Sequence, residues 1–405
     1  MALVVTKFGG TSVATPEKIR AVAERLVARK KAGDEVVAIV SAMGHVTDEL
    51  TEMAYAITDT PRMRELDMLL STGEQVTIAL LAMAIHELGE RAISFTGPQV
   101  GIVTDDAHAK AKIVEIEATA IREALAADNI VIVAGFQGST RDGEITTLGR
   151  GGSDTTAAAI ATGIDADVCE IYTDVDGVYT ADPRVVPRAQ KIDRISHEEM
   201  LEMAASGAGV LSMRSVEFAR NHDAIIHCRS SFTSEPGTIV THEETTMENA
   251  IVSSVVHDMS DAKVTLRGLE DKPGVAATIF DMLARENVNV DMVIQNISEE
   301  GLTDLSFTAP HDDLQRVKTA IDAIAQKVGA RTWVLDDNIA KISLIGAGMR
   351  THPGVTAKMF RTLADEDINI DLISTSPIRL SVVVATDDTE RAVRALHTAF
   401  GLDHE

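Results

Sequence analysis

The chain has 405 residues, a length that allows two or three domains, each with its own hydrophobic core. Its hydrophobic content of 45% and charged content of 24% are typical of soluble globular proteins. The formal net charge of -25 repels nucleic acid and anionic membranes and excludes both as expected partners, so an anionic substrate would need local cationic groups.

The N-terminal sequence MALVVTKFGG leads directly into an apolar strand and lacks the basic region and cleavage site of a signal peptide. We expect no stretch of about 20 apolar residues that would span a bilayer. Cys169 and Cys228 lie in apolar, strand-like surroundings that are typical of buried free thiols. These features predict a cytoplasmic protein.

The first 240 residues alternate short apolar runs with helical patterns, which predicts a largely parallel sheet covered by helices. The expected buried strands are LVVTKF, EVVAIVSA, NIVIVAGF and CEIYTD. Thr15 and Pro16 mark a helix start, and Ser196 with Glu199 forms a predicted capping box. The polar stretch TSEPGTIVTHEETTMEN is the predicted linker.

The remainder contains an internal repeat, because KPGVAATIFDMLARENVNVDMV aligns without a gap with HPGVTAKMFRTLADEDINIDLI. Each copy predicts a strand, a Pro-Gly turn, an amphipathic helix, two strands and a helix. The first copy ends with a further strand, ARTWVLD, that the second lacks. The run AIVSSVVHD, residues 250–258, is therefore expected to complete the second sheet, with the first unit inserted in the second. Equivalent residues are 80 positions apart: Pro273 and Pro353, Phe280 and Phe360, Asp291 and Asp371.

The segment TTLGRGGSDTTAAAIA joins a glycine-rich turn to an alanine-rich helix. Gly149, Gly151 and Gly152 permit unusual backbone angles, and Ser153 is the expected N-cap. Together with Arg150, the positive end of the helix predicts a site for a carboxylate or phosphate. A tight turn with a surface arginine is the alternative.

Other polar stretches follow predicted strands, where ligands bind in open α/β sheets. Lys7 precedes the glycines of KFGGTS, unlike the lysine of a Walker motif. The stretches SAMG and YTDVDGVYTADPR also follow strand ends. KFGGTS alone is equally consistent with a structural turn and a solvated lysine, and YTDVDGVYTADPR with a solvated loop. Glu74 begins a helix, where a carboxylate also suits the helix dipole. The sequence lacks zinc-type spacings, a nucleophile elbow and a dinucleotide fingerprint, which leaves phosphate chemistry.

In this order, KFGGTS, SAMG, GEQ, GFQG, TTLGRGGSD and YTDVDGVYTADPR, followed by two repeats, resemble the aspartokinases of the amino acid kinase family. The resemblance covers essentially the whole chain. It implies an amino acid kinase domain over residues 1–245 and two ferredoxin-like βαββαβ ACT domains. The first ACT domain spans residues 263–338 and is inserted in the second, which comprises residues 250–262 and 339–405.

By this resemblance, the γ-phosphoryl group of ATP, with Mg²⁺ between the phosphates, moves to the side-chain carboxylate of L-aspartate. The product would feed lysine, threonine, methionine and isoleucine synthesis. The resemblance implies that Lys7, Gly9, Gly10 and Asp154 are catalytic residues that act on the phosphoryl group during transfer, and that Lys7 also binds the nucleotide. It implies no protein ligand for the metal. The implied aspartate site contains Ser41, Thr47, Glu74, Phe136, Arg150, Gly151 and Ser153; the implied nucleotide site contains Thr173, Asp174, Tyr179, Asp182 and Arg184.

One departure from the family pattern concerns a lysine that relatives carry in segments such as GAKVLHP, because this chain reads GAGVLSM with Gly209 there. A charged phosphate contact is worth about 1.5–3 kcal/mol. We therefore expect weaker nucleotide binding or turnover, unless Arg214 or another cation substitutes.

For the repeats, the resemblance implies feedback inhibition by lysine, threonine or both, and at least a dimer through ACT pairing. Pro377 removes an amide donor beside the second pocket and could alter effector selectivity. Met247 is a candidate internal start for a separately made regulatory subunit. The implied effector positions, which otherwise only shape turns and strand ends, are Asp271, Gly274, Ala276, Gln295, Asn296, Asn369, Ile370 and Asp371.

Two other functions stay open at this point. One is a different amino acid kinase, acting on acetylglutamate, carbamate or a nucleotide, which the two ACT-like units and TTLGRGGSD disfavour. The other is an amino-acid sensor whose kinase domain has lost activity, which Gly209 favours and the intact Lys7, Glu74, Arg150 and Asp154 oppose.

Overall fold

A computed structural model describes residues 2–242, 251–297 and 301–403 of the chain. The described residues form two compact units. The first comprises residues 2–179, 191–205 and 209–242, and the second comprises residues 180–190, 206–208, 251–297 and 301–403. Two short segments from within the expected kinase range, 180–190 and 206–208, thus pack with the repeats. A single boundary at residue 245 therefore does not separate the two units. The candidate start Met247 lies outside the described residues.

The first unit is built on an eight-stranded sheet in the order β12-β14-β13-β9-β1-β2-β6-β3, in which only β13 and β14 pair antiparallel. A four-stranded sheet, β5-β4-β7-β8, and the hairpin β10-β11 complete it. Its strands are β1 (Leu3–Phe8), β2 (Glu35–Val40), β3 (Ala92–Phe95), β4 (Ile102–Thr104), β5 (Ile113–Ile116), β6 (Ile130–Ala134), β7 (Gln137–Ser139), β8 (Ile145–Thr147), β9 (Val168–Thr173), β10 (Val178–Tyr179), β11 (Lys191–Ile192), β12 (Arg194–Ser196), β13 (Ile226–Ser230) and β14 (Thr238–Thr241). Its helices are α1 (Pro16–Lys31), α2 (Val46–Ile57), α3 (Met63–Leu70), α4 (Thr72–Glu87), α5 (Thr119–Ala126), α6 (Gly152–Gly163), α7 (His197–Ala205) and α8 (Met213–Asn221).

The central strands are buried on both faces, as a parallel sheet covered by helices requires. Val4 and Val5 are neighbours in β1, so their side chains point to opposite faces, and both are fully buried. The core on one face joins β1, β2 and β6 to α1 and α4. All four strands predicted from apolar runs are present, and the predicted α/β fold is confirmed.

Two predicted helix starts have the expected chemistry. The Thr15 side chain accepts the Lys18 amide at the start of α1, and Pro16 is the first helical residue. At α7 the Glu199 amide donates to the Ser196 hydroxyl, which in turn lies 3.2 Å from the Glu199 carboxylate. The predicted linker was partly wrong, because its segment TIVT is the strand β14, paired with both β12 and β13.

Both cysteines are buried free thiols, as predicted. Burial raises the pKa of each thiol, to about 12 at Cys228, so both stay protonated and unreactive. The expectation that no stretch is long and apolar enough to span a membrane was wrong for the residues that the structure describes. The helical stretch Met63–Glu87 has that length and composition, but half of its apolar 18-residue window is buried within the protein. This is weak evidence for a span and fits a core helix equally well.

The second unit contains two four-stranded sheets, β17-β18-β16-β19 and β15-β20-β22-β21. Their orders are the same, because β15 in the second sheet occupies the place that β19 has in the first. Antiparallel pairing of β15 with β20 joins residues 254–258 to the second repeat. The strands are β15 (Ser254–Asp258), β16 (Asp261–Glu270), β17 (Val293–Ile297), β18 (Leu302–Pro310), β19 (Thr332–Asp336), β20 (Ile339–Ile345), β21 (Leu372–Thr375) and β22 (Arg379–Ala385). The helices are α9 (Val275–Arg285), α10 (Leu314–Val328), α11 (Val355–Asp365) and α12 (Thr389–Ala399).

Reciprocal ion pairs link the two repeats. Lys263 on β16 lies 2.5 Å from Asp371 of the second repeat, and Lys341 on β20 lies 2.8 Å from Asp291 of the first. Asp291 and Asp371 are equivalent positions of the repeat, so in each ion pair the carboxylate comes from the same position of one repeat and the lysine from the other repeat. The two repeats are therefore joined by ion pairs in both directions.

Candidate active site

The polar stretches that follow the central strands lie along one edge of the large sheet. The strands β9, β1, β2 and β6 are adjacent and parallel, so their carboxyl ends meet at that edge. The residues that these ends present are Lys7, Ser41, Phe136 and Thr173. Residues from four separate parts of the sequence thus lie together at the edge of the sheet where ligands were expected to bind.

Lys7 is paired with Asp154 at the start of α6. The two charged atoms are 2.6 Å apart, and each side chain is about one-eighth exposed. A Cβ atom on Gly9 would lie 3.4 Å from the lysine nitrogen, so the ammonium group lies beside the glycine turn. Asp154 orients this cation and leaves its other hydrogens for an anion.

The glycine turn after β1 packs closely on the turn after β2. The Gly44 amide donates to the Gly10 carbonyl at 3.0 Å. A Cβ atom on Gly10 would lie 3.0 Å from the carbonyl oxygens of Ala42 and Gly44, a distance that only a glycine tolerates without movement. This packing brings KFGG and SAMG together.

Glu74 is a buried carboxylate in the first turn of α4, only 2% exposed. One carboxylate oxygen accepts the Ala42 amide at 3.2 Å, while the other is buried without a hydrogen-bond partner. Among the described residues, no cation lies within ion-pair distance of it. Burial raises the pKa of Glu74 to about 7. Such a group is suited to receive a cation from a ligand.

The loop that carries Arg150 is shaped by two glycines in the left-handed region, Gly149 with φ 77° and Gly151 with φ 71°. A Cβ atom on Gly151 would lie 2.4 Å from the Ser212 side chain, so the loop packs tightly. Gly151 is the N-cap of α6, and Ser153, expected there, lies inside the first turn. The reason is steric, because the cap residue has a left-handed backbone that favours glycine. Arg150 itself is exposed.

Phe136 and Ser153 lie beside this loop. Phe136 has φ 69°, unusual for a large residue, and its carbonyl accepts the Leu148 amide. A Cβ atom on Gly135 would lie 2.6 Å from the Ser153 hydroxyl, so the turn after β6 lies directly against the start of α6. Thr47, in the first turn of α2, is half-buried, and its carbonyl accepts the Thr51 hydroxyl.

The expected nucleotide residues are divided between the two units. Thr173 and Asp174 follow β9 and are hydrogen-bonded to each other at 3.0 Å, and Tyr179 ends β10. Asp182 and Arg184 lie on segment 180–190 of the second unit, where they form an ion pair at 2.7 Å. This pair lowers the pKa of Asp182.

A further strand end, which the sequence reasoning missed, lies beside the glycine turn. The hydroxyls of Ser12 and Ser231 are 2.5 Å apart, and the Ser231 amide donates to the Thr173 carbonyl. Arg25 holds the same loop by donating to the carbonyls of Ser230 and Ser231. The polar run RSSF after the apolar strand β13 was the available signal.

Gly209 has open space around it, because a Cβ atom there would meet nothing within 4 Å. Arg214 does not replace the missing lysine. Its guanidinium donates to the carbonyls of Leu148 and Ala111 at 2.5 and 2.9 Å, and burial lowers its pKa. Arg214 therefore braces the loop that leads to Arg150.

The expected effector positions of the first repeat surround its Pro-Gly turn and β17. Gly274, with φ 95°, is the N-cap of α9, and Gln295 and Asn296 are exposed on β17. The Asp271 amide donates to the Gly301 carbonyl. Ala276 packs against the core of the first repeat.

In the second repeat, two of the three expected positions contact other parts of the protein. Asp371 is paired with Lys263, and Ile370 packs against the core, while Asn369 is exposed. A cavity of about 380 Å³ lies instead at the positions equivalent to Gly274, Gln295 and Asn296. Pro377 lies on its wall, as expected, and the lining residues are Met349, His352, Pro353, Gly354, Val355, Thr356, Thr375, Ser376, Pro377, Arg379 and Leu380.

Family models match both parts of the chain. The model of the amino acid kinase family matches residues 2–230, and two ACT domain models match residues 264–326 and 342–400. An aspartokinase from Mycolicibacterium smegmatis is 54% identical to this chain over 407 residues and covers 99% of this chain and 97% of that protein.

Solved structures agree. E. coli aspartokinase III in complex with aspartate and ADP, in the R-state, has a TM-score of 0.83 and 27% identity, covering 98% of this chain and 99% of that one. Its T-state complex with lysine and aspartate has a TM-score of 0.76 at 27% identity with the same coverage. The chain belongs to the amino acid kinase family and, within it, to the aspartokinases. It is an ATP-dependent kinase with two C-terminal ACT domains.

Proposed function

We propose that this kinase transfers the γ-phosphoryl group of MgATP to the side-chain carboxylate of L-aspartate. The observation that carries the proposal is the buried Glu74 carboxylate, which has no ion-pair partner among the described residues, in the same unit as the exposed Arg150 and the paired Lys7. An α-amino dicarboxylate supplies the ammonium group for Glu74 and the α-carboxylate for Arg150. The aspartate complex of the E. coli structure supports this choice of substrate.

In the proposed reaction, a side-chain carboxylate oxygen of aspartate attacks the γ-phosphorus while the bond to the β,γ-bridging oxygen breaks. The products are 4-phospho-L-aspartate and ADP. The attacking carboxylate is already ionised at neutral pH, so the reaction needs no general base. Catalysis then consists of positioning and charge neutralisation.

Lys7 and the amides of Gly9 and Gly10 stabilise the charge that develops on the transferring phosphoryl group, and Asp154 holds the lysine in place. Arg150 binds the substrate α-carboxylate as a planar, two-point donor that a lysine would not reproduce. Around these groups, we assign Ser41, Thr47, Phe136, Gly151 and Ser153 to the aspartate site.

We assign the nucleotide to Thr173, Asp174, Tyr179, Asp182 and Arg184, the first two of which follow the strand next to β1. If Mg²⁺ is bound to the triphosphate, it would neutralise part of the phosphate charge. Among the described residues there is no cluster of three or more His, Cys, Asp or Glu side chains that could hold a metal.

The proposal is tested by measuring ADP release with MgATP across a panel of amino acids that includes aspartate, glutamate and acetylglutamate. We expect release with aspartate only, and loss of that release in Arg150→Lys. ADP release with another acceptor would reassign the substrate, and failure of aspartate at every enzyme concentration would favour the amino-acid sensor.

We further propose feedback inhibition by lysine, threonine or both at the ACT domains. The lysine complex of the E. coli enzyme supports this class of effector. The effector positions we assign are Asp271, Gly274, Ala276, Gln295, Asn296, Asn369, Ile370 and Asp371, although the ion pair of Asp371 with Lys263 also gives that residue a structural role. Full retention of inhibition in Gln295→Ala would remove Gln295 from the site.

For the chain as a whole, we propose a kinase domain over residues 1–245, a first ACT domain over 263–338, and a second one from 250–262 and 339–405. The pairing of β15 with β20 supports the inserted arrangement. We also propose a cytoplasmic homo-oligomer that feeds the synthesis of lysine, threonine, methionine and isoleucine.

A further inference from the structure

A second buried carboxylate in the kinase unit, Asp67 on α3, lies at the centre of a hydrogen-bond network. Its side chain is fully buried. The Thr147 hydroxyl donates to one carboxylate oxygen at 2.6 Å, and the Ala109 amide lies 3.1 Å from both. The Nδ1 atom of His108 lies 2.7 Å from the second oxygen. Asp67 thus joins a helix, a loop and the last residue of β8.

This network leads to the proposed α-carboxylate site through Thr147. Thr147 is three residues before Arg150, and its carbonyl accepts the Ala111 amide at 3.0 Å. A Cβ atom on Gly149 would lie 2.9 Å from the Ala109 carbonyl. The loop that carries Arg150 therefore rests on the segment that Asp67 holds, and Ala109 itself has the strained φ of 66°.

The backbone of Asp67, rather than its carboxylate, leads to the proposed ammonium site. The Ser71 amide donates to the Asp67 carbonyl at the end of α3, and α4 starts at the next residue with Glu74 in its first turn. The Ser71 carbonyl accepts the buried Gln137 side chain at 2.9 Å. The start of α4 is thus fixed with respect to Asp67.

We infer that Asp67 is a positioning residue of the aspartate site, which sets the separation between the Arg150 loop and the Glu74 helix. The inference rests on the proposed function. A buried, fully hydrogen-bonded carboxylate fixes the orientation of the groups that bind it, which an apolar side chain would not do. Apolar packing at the same place often gives equal stability, so the value of the carboxylate lies in geometry. Asp67 would therefore act on the geometry with which the two ends of the substrate are held.

The test is Asp67→Asn, which keeps the size of the side chain but replaces one acceptor oxygen by a donor that faces other donors. We expect KM for aspartate to rise about tenfold or more, with KM for MgATP changed less than about twofold. Binding of aspartate to the enzyme, measured by calorimetry, should weaken in parallel. The matched control is Glu199→Gln, which alters another buried carboxylate of the unit, 2% exposed, at the start of α7.

A selective rise in KM for aspartate, absent in Glu199→Gln, would support the inference. Equal changes in both KM values, or none, in a variant that keeps its circular dichroism spectrum would overturn it and leave the proposed function standing. If Asp67→Asn does not fold, Thr147→Val removes a single donor and carries the same expectation. Failure of the wild-type enzyme to use aspartate would instead remove the proposed function, and this inference with it.

Discussion

Two buried charges in this protein have opposite surroundings. Lys341, on β20 in the ACT unit, is 3% exposed and lies 2.8, 3.4 and 3.9 Å from Asp291, Asp261 and Asp258. Glu74, on α4 in the kinase unit, is 2% exposed and has one amide donor and, within the described residues, no cation. Burial of a charge is costly unless it is paired.

The pKa shifts of the two groups express this difference. Burial alone would lower the pKa of Lys341, but Asp291, Asp261 and Asp258 outweigh it and raise the pKa. At Glu74 burial dominates and raises the pKa to about 7. The comparison teaches that a charge neutralised within the protein has a structural role, whereas one left without a counter-charge is poised for a ligand.

The largest effect is expected from Lys341→Met. Removing the cation leaves three carboxylates close together, two of them largely buried, so we expect a loss of about 3–5 kcal/mol in the free energy of unfolding. Urea denaturation measures it. Lys263→Met is the control, since Lys263 is more exposed, 16%, and has two partners. An equal effect at both positions would erase the distinction that burial makes.

The second prediction concerns Glu74→Gln. We expect KM for aspartate to rise about 10- to 100-fold, because a hydrogen bond between charged groups is worth about 1.5–3 kcal/mol. Stability should not fall, since a neutral amide is easier to bury than a carboxylate. Steady-state kinetics and thermal unfolding measure the two quantities. Glu87→Gln, on the exposed end of α4, is the control. An unchanged KM would show that Glu74 does not meet the substrate.

The third prediction is a pH dependence that distinguishes the two charges. Glu74 must be ionised to bind an ammonium group, so kcat/KM for aspartate should rise with pH, with a midpoint of about 7. The pKa of Glu74 is 4.5 in the unfolded chain and about 7 in the folded protein, so the folded protein binds this proton more tightly. The contribution of Glu74 to the free energy of unfolding therefore declines as the pH rises from 4.5 towards 7.

Lys341 should contribute nothing to the pH dependence of stability between pH 4.5 and 7. Its pKa is raised above 10.5, so its stabilising effect is fully present at lower pH and is lost only as pH rises through the folded value. The activity profile of Glu74→Gln should lack the rise near neutrality. If that variant keeps the wild-type profile, another group causes the ionisation.

The smallest effect is expected from Gly209→Lys, which adds a cation where the structure has open space. If the phosphates of ATP pair with the new lysine, kcat/KM for ATP should rise by about tenfold at most. A charged contact is worth about 1.5–3 kcal/mol, from which the cost of ordering the lysine side chain is subtracted. Gly209→Ala, which adds no charge, is the control. Unchanged kinetics in the lysine variant would show that this position is not the missing anchor.

Much of the architecture could be predicted from local patterns. Continuous apolar runs identified the strands β1, β2, β6 and β9, and the repeat of 80 residues identified two equivalent units. Contacts between distant residues could not be predicted. No sequence motif singled out Asp67, although it binds groups 41, 42 and 80 residues away. The partners of Lys341 are 50, 80 and 83 residues away.

The sequence by itself determined the fold class, the repeat and the glycine-rich turns at the strand ends, because apolar periodicity and the conformational freedom of glycine act over a few residues. Only the tertiary structure decided which charges are neutralised. It placed three carboxylates around Lys341 and none of the described cations beside Glu74. The physical reason is that the energy of a charge depends on burial and on the nearest opposite charge, both of which arise when distant segments pack together.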